Sequence, residues 1–453
     1  MNTGAETFEF TAKAKKNLTI LVIVGLVLSI VGILVNMSGG GHEEAADGHD
    51  ATEMAATSHD GGESAESTEE GHSAEGEDDH HGSPTWLKSI YTNLWINSIF
   101  FAGLALLGVF FFTIQYAAQA GWSAGIKRIP LAFGAWLPIA FAVILVLFFV
   151  AGGDLFHWTH ADLYAAEGGD DIVKGKAAYF YWPLEGGSKI PAFWVGRLVL
   201  FFAVWYLLFR KLRSLAFEED LEGGVERWKR MRILSAIFLV FFAYSSSIAA
   251  WDWVMSIDVH WFSTMFGWYS FSSWWVSCLA LTTLLVIYLK EKGYLSIVNS
   301  DVVHDLGKFV FAFSIFWAYL WFSQFMLIYY AHIPEETVYF MDRWKGHYAG
   351  IFYFNLIINF LFPFLMLMTR DAKRHTIILK VVGPAVLFGH WLDFYLMITP
   401  GVMKFESSFG LLEIGMLLVF SGTFLYVVLR QLAKAPLFAA KHPMLEESIH
   451  HHV

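Results

Sequence analysis

Two acids and an imidazole stand within nine residues in Trp251-Asp252-Trp253-Val254-Met255-Ser256-Ile257-Asp258-Val259-His260-Trp261, at the end of an apolar run long enough to cross a bilayer. A carboxylate near hydrocarbon costs roughly 2.5 to 3.5 kcal/mol on insertion scales, so an intramembrane acid usually faces a bundle interior, a cavity or a proton route. On a helix Asp252 and Ser256 share a face, and Asp258 and His260 fall just past its end. Such groups can pass protons, because their proton affinities can be tuned across neutral pH. The competing reading has Asp252 tying helices together and Asp258 meeting water.

A second constellation lies in His390-Trp391-Leu392-Asp393-Phe394-Tyr395. His390 and Asp393, three apart, are neighbours on one helical face. They read as a proton relay, a quinol-head contact, or a buried pair that only stabilises packing. Gln324, Tyr329, Tyr330 and His332 line the exit of another apolar run, followed by Glu335 and Glu336. Tyr330 and His332 can donate or accept, although aromatics at such ends commonly act as belt anchors. His157, His160 and Asp162 approximate a metal-ligand spacing without a fourth ligand, so a solvated loop is the better reading. His42, His49, His59, His72, His80 and His81 belong to an acidic stretch whose composition reads as an entropic linker, with adventitious Zn or Cu binding as the alternative. The terminal His450, His451 and His452 precede Val453.

Composition excludes much other chemistry. One cysteine, Cys278, rules out a disulfide framework, a Cys-x-x-Cys-His haem attachment and a cysteine-ligated iron-sulfur cluster within the chain. Paired histidines for a haem b are not evident, nor are phosphate-binding glycine loops, Ser/His/Asp triads or nucleic-acid patches. The expectation is therefore no cofactor or metal in this chain and no nucleic-acid partner.

These residues must be positioned by membrane helices. Of 453 residues, 56% are hydrophobic and only 16% charged, unlike a soluble domain. The formal charge of -11 misleads, because fourteen acids and no Lys or Arg lie between Gly41 and Pro84; the rest is mildly basic. Apolar runs at Leu18 to Met37, Tyr91 to Tyr116, Leu131 to Ala151, Pro191 to Phe209, Ile233 to Met255, Trp268 to Leu289, Phe309 to Tyr330, Ala349 to Met368, Ile377 to Ile398 and Leu411 to Leu429 predict ten spans. The first lacks a cleavage pattern and reads as a retained anchor. Placing the amino terminus inside puts 22 of 30 Lys and Arg on the cytoplasmic side, so both termini are expected there, with Asp252 to His260 toward the periplasm.

With that orientation, spans two to five and six to nine form parallel repeats, each with an aromatic-flanked acid on its fourth helix. The expected architecture is an all-α polytopic membrane protein of two four-helix bundles plus two peripheral helices. The segments are 1–37 (cytoplasmic start and first anchor), 38–88 (acidic periplasmic loop without stable fold), 89–260 (first bundle), 261–400 (second bundle) and 401–453 (last helix and tail). Arg210 to Arg232 reads as an ordinary connector.

Ten spans, Asp252-Trp253-Val254-Met255-Ser256-Ile257-Asp258 leading to His260-Trp261-Phe262-Ser263-Thr264-Met265-Phe266-Gly267-Trp268-Tyr269, and Gln324-Phe325-Met326-Leu327-Ile328-Tyr329-Tyr330-Ala331-His332-Ile333-Pro334-Glu335-Glu336 together resemble the F subunit of bacterial alternative complex III, the quinol:electron-acceptor oxidoreductase. The resemblance runs from Trp86 to Gln431 and omits the acidic loop. That family is similar to polysulfide-reductase-type membrane anchors. The resemblance implies an inner-membrane subunit without its own redox centre, haem c and iron-sulfur clusters in other membrane and periplasmic subunits, and menaquinol or ubiquinol as reductant. It touches Asp252, Asp258, His260, His332, Glu335 and Glu336 as site residues and implies a scaffolding and proton-conducting role. Quinol binding by this chain is the alternative, and a stand-alone ion transporter a third reading.

Overall fold

The computed structural model describes residues 6–39, 83–407 and 409–452; the acidic histidine-rich stretch 40–82 lies outside the described residues. Among the described residues ten helices are long and apolar enough to cross a membrane, which makes the chain an all-α polytopic membrane protein. They are α1 (Ala12–Gly39), α2 (Thr85–Ala117), α3 (Leu137–Leu155, entered through helical turns from Arg128), α4 (Ala192–Glu222), α5 (Val225–Trp253), α6 (Phe266–Glu291), α7 (Ser300–Ala331), α8 (Ala349–Leu356, continuing through Ile357–Leu361 to Met366), α9 (Thr376–Met403) and α10 (Leu411–Leu432).

Local signals set several boundaries. Asn299 accepts hydrogen bonds from the amides of Asp301 and Val302 and so caps α7. At its other end His332 takes the left-handed conformation, φ 49°, and turns the chain into a short helix, Pro334–Trp344, that starts on a proline. Gly223 and Gly224, with φ 63° and 99°, make the sharp break between α4 and α5.

Contacts close two rings. In the first, α2 packs on α3 and α5, α4 on α5 and α3; in the second, α6 packs on α7 and α9, α8 on α9 and α7. The rings meet where α2 touches α6 and α9 and α5 touches α6, and accordingly α2 and α6 are the most buried spans. The remaining pair, α1 and α10, packs intimately and lies against α2 and the start of α3. Its seam is made of glycines: a Cβ on Gly32 would sit 2.4 Å from the Leu412 amide nitrogen, and one on Gly415 2.5 Å from that of Ser29. Small residues let helices approach where lipid supplies no hydrophobic drive, so van der Waals contact holds the pair.

Segments next to both termini meet at one end of the bundle, the termini face, where the Leu437 amide donates to the Glu6 carbonyl. The connector there is more than a solvated link. Glu219 is 1% exposed and accepts from Tyr116 Oη at 2.9 Å, while Arg128 binds Asp220 at 2.7 Å. The C-terminal tail closes over them, placing His442 Nε2 2.5 Å from Lys127 Nζ. Burial lowers the proton affinity of both: Lys127 falls to about 7, with the Glu219 charge opposing the shift and Arg128 adding to it. His442 is held neutral by burial, then by the charges of Lys127 and Arg128.

Candidate functional site

The three ionisable groups clustered in the sequence between Trp251 and Trp261 go to three different places. Asp252, one residue before the end of α5, turns into the first ring and is 0% exposed. Arg197 of α4 grips both of its oxygens, Nε to Oδ2 at 2.7 Å and Nη2 to Oδ1 at 2.8 Å, and spends a third donor on the Tyr179 carbonyl. The guanidinium also lies against the rings of Tyr179 and Phe193, at 4.2 and 4.5 Å. Nearby indoles complete the knot: Trp194 donates to the Asp252 carbonyl and Trp95 to that of Trp253. With a guanidinium bound to both carboxylate oxygens, the Asp252 charge is held in a fixed ion pair between α4 and α5, and the arrangement is a helix tie. Ser256 does return to Asp252, its hydroxyl donating to the Asp252 carbonyl at 2.6 Å, but from a short turn beyond the helix.

Asp258 belongs to the second ring. Arg343, at the end of the Pro334–Trp344 helix and 3% exposed, donates to its Oδ2 at 2.8 Å and to the carbonyls of Leu396 and Met397 of α9 at 2.7 and 3.1 Å. Desolvation works against that charge, but Tyr339, Asp258 and Asp342 outweigh it, so Arg343 holds its proton more firmly than an ordinary guanidinium. His260 is exposed and pairs with Asp170 at 2.5 Å. Partial burial would raise the Asp170 proton affinity, yet the His260 bond and two backbone amides lower it overall.

The most completely built polar site is around Asp393. It lies ten residues before the end of α9, about 15 Å inside at the helical rise, and is 1% exposed. All three other helices of the ring reach it: Tyr269 of α6 donates its hydroxyl to Oδ1, Asn355 of α8 donates to Oδ1 at 2.9 Å, and Trp317 of α7 donates to Oδ2 at 2.9 Å. One turn deeper, His390 Nδ1 meets Ser273 Oγ at 3.0 Å, and its Nε2 has no hydrogen-bond partner among the described residues. Asn359 donates to Asn355 at 2.7 Å, and its own oxygen is likewise unpartnered, as is Ser314 Oγ. Asn359 sits in the five-residue π turn of α8, and Gly389 leaves the space it occupies, since a Cβ there would lie 2.2 Å from its oxygen. Such π turns frequently mark functional sites, because they push one side chain out of helical register.

Above Asp393 a narrow cavity is lined by Tyr269, Asn355, Asp393, Gln324, Tyr339 and Arg343. Its room of about 20 Å³ suits one or two waters. Gln324 accepts from Ser263 at 3.1 Å at the outer side. Polar groups thus run from His390 through Asp393 and the cavity to Arg343 and Asp258.

His390, Asp393 and Asp258 therefore share one ring, whereas Asp252 serves the other and His260 a loop. Tyr330, His332 and Glu335 are exposed, Tyr330 at 88%, and stand apart from the Asp393 network. Exposed His157 lies close to His160 and to His260, with ring centroids 5.7 and 6.4 Å away. No group of three His, Cys, Asp or Glu side chains suited to a metal ion occurs among the described residues. Sequence reasoning missed Arg197, Arg343, Tyr269, Asn355, Trp317 and Ser273. The two arginines carried a signal, being cations on the side of the membrane that is poor in them. No family model matches the chain, and no curated protein matches it.

Proposed function

We propose that the chain is a non-redox integral subunit of a respiratory quinol:electron-acceptor oxidoreductase, resembling the F subunit of alternative complex III, and that its second ring carries a proton half-path. The observation behind the proton role is a mid-membrane carboxylate bonded by all three other helices of its ring and bordered by unpartnered buried polar atoms. Unpartnered buried polar atoms are where internal waters bind, and water alternating with Asp and His is the usual material of a proton relay. Asp393 is the central station in this reading, His390 and the Ser273 hydroxyl lie on the inner side, and the cavity, Arg343 and Asp258 on the outer side. The termini face is then cytoplasmic, in line with its excess of Lys and Arg. A quinol head on this chain is less well supported, because the cavity beside Asp393 admits water and not a ring.

The test uses the assembled complex. Native purification should bring down haem- and cluster-bearing subunits with the chain, whereas a lone homo-oligomer with transport activity would replace this proposal with a transporter. Within the complex, Asp393→Asn should lower quinol-driven proton release by at least tenfold while subunit composition is unchanged. Wild-type proton release and quinol oxidation in that variant would remove the proton role.

A further inference from the structure

A second site lies on the opposite flank, where α1, α10 and the start of α3 enclose a crevice of about 530 Å³. Its walls are apolar, with Val22 from α1, Trp136, Ile139 and Val143 from the α3 side, and Val419 and Val427 from α10. Thr423 adds no free donor, since its hydroxyl is spent on the Val419 carbonyl at 2.8 Å. Along α10 the crevice runs from Val419 to Val427, about 12 Å at the helical rise. An apolar groove of that length accommodates part of a hydrocarbon chain.

At the termini face the crevice opens past Tyr426 into a hollow lined by Arg430 and Lys434, and on the other side of Tyr426 and Arg430 into one lined by Lys15. Glu9 is the acid among these linings. Arg430 and Lys434 are exposed and form no ion pair among the described residues. An apolar slot ending on two or three cations beside an interfacial tyrosine matches a molecule with hydrocarbon chains and one anionic head. Guanidinium and ammonium groups at that depth are the usual partners of lipid phosphate.

We propose that this crevice is the seat of an anionic glycerophospholipid of the surrounding bilayer, with an acyl chain between Val22, Ile139 and Val427 and its phosphate on Arg430 and Lys434, opposite Lys15. The lipid fills the groove beside the α1–α10 pair and mortars it to α3. This site is independent of the proton path.

The experiment is native mass spectrometry of the full chain in detergent, titrated with dioleoylphosphatidylglycerol or, separately, dioleoylphosphatidylcholine. Phosphatidylglycerol should bind at one site and about 30-fold more tightly than in the Arg430→Gln/Lys434→Gln double variant, at roughly a factor of five per cation. Val143→Trp, which fills the slot, should weaken phosphatidylglycerol binding while leaving the cations in place. Lys229→Gln/Arg230→Gln, on the same face away from the crevice, should leave affinity unchanged. Reactivity of the buried Cys278 toward a thiol dye reports that each variant is folded. Equal affinity for both lipids, displacement of phosphatidylglycerol by a neutral isoprenoid quinone, or full binding in the Arg430/Lys434 variant would each overturn the assignment.

Discussion

Asp252 and Arg197 give a sharp test of whether an intramembrane acid is a tie or a carrier. The pair is almost entirely out of solvent, with side-chain exposures of 1% and 9%, and the guanidinium makes its bonds to Asp252 and Tyr179 and little else that is polar. Removing either partner strands a buried charge, which costs about 3–5 kcal/mol, while replacing both with apolar groups of similar volume is often neutral or stabilising. Asp252→Asn and Arg197→Met should therefore each lower the thermal midpoint by about 3–5 °C. The double variant Arg197→Met/Asp252→Leu should be more stable than either single one. Cys278 supplies the assay, because this single cysteine is buried in α6 and reacts with a thiol dye only when the bundle opens. Losses that simply add in the double variant would refute the tie, as would an Asp252→Asn variant that melts like the parent yet has lost proton release.

Two further outcomes follow from the packing and the buried cluster. Gly415→Leu should destabilise by about 1–3 kcal/mol, because its Cβ would strike the backbone of Ser29, while Gly350→Leu, whose Cβ meets nothing within 4 Å, should leave the midpoint unchanged; equal melting of the two would contradict the glycine seam. The docked tail should loosen as pH falls. His442 has a depressed proton affinity when docked, so its contribution is complete above its free value of about 6.5 and is progressively lost below it. Hydrogen exchange of residues 437–449 should accelerate between pH 7 and 5 in the parent and much less in His442→Phe. Protection that is flat across that range in the parent would remove His442 as the sensor.

The Asp252 to His260 run shows how far linear proximity can mislead. Nine residues that cross a helix end change direction at every step of the short turn at Met255–Ile257, so side chains adjacent in the chain leave toward different neighbours. Asp258 reaches Arg343, 85 positions away, and His260 reaches Asp170, 90 positions away. His390 and Asp393 stay together because an unbroken helix fixes their angular separation. That pair was legible for the same reason that Arg197 and Arg343 were not: helical spacing is local, and ion pairs between helices are not.

The sequence by itself determined the ten spans, their alternation and the excess of Lys and Arg at one face, because hydrocarbon demands about twenty apolar residues per helix and that demand is written residue by residue. It also determined that His390 and Asp393 would share one face inside a span. Only the tertiary structure decided which acid is locked by a guanidinium and which sits among neutral donors beside a water-sized cavity. That distinction depends on which helices pack together, and it separates the fixed charge of Asp252 from the polar centre at Asp393.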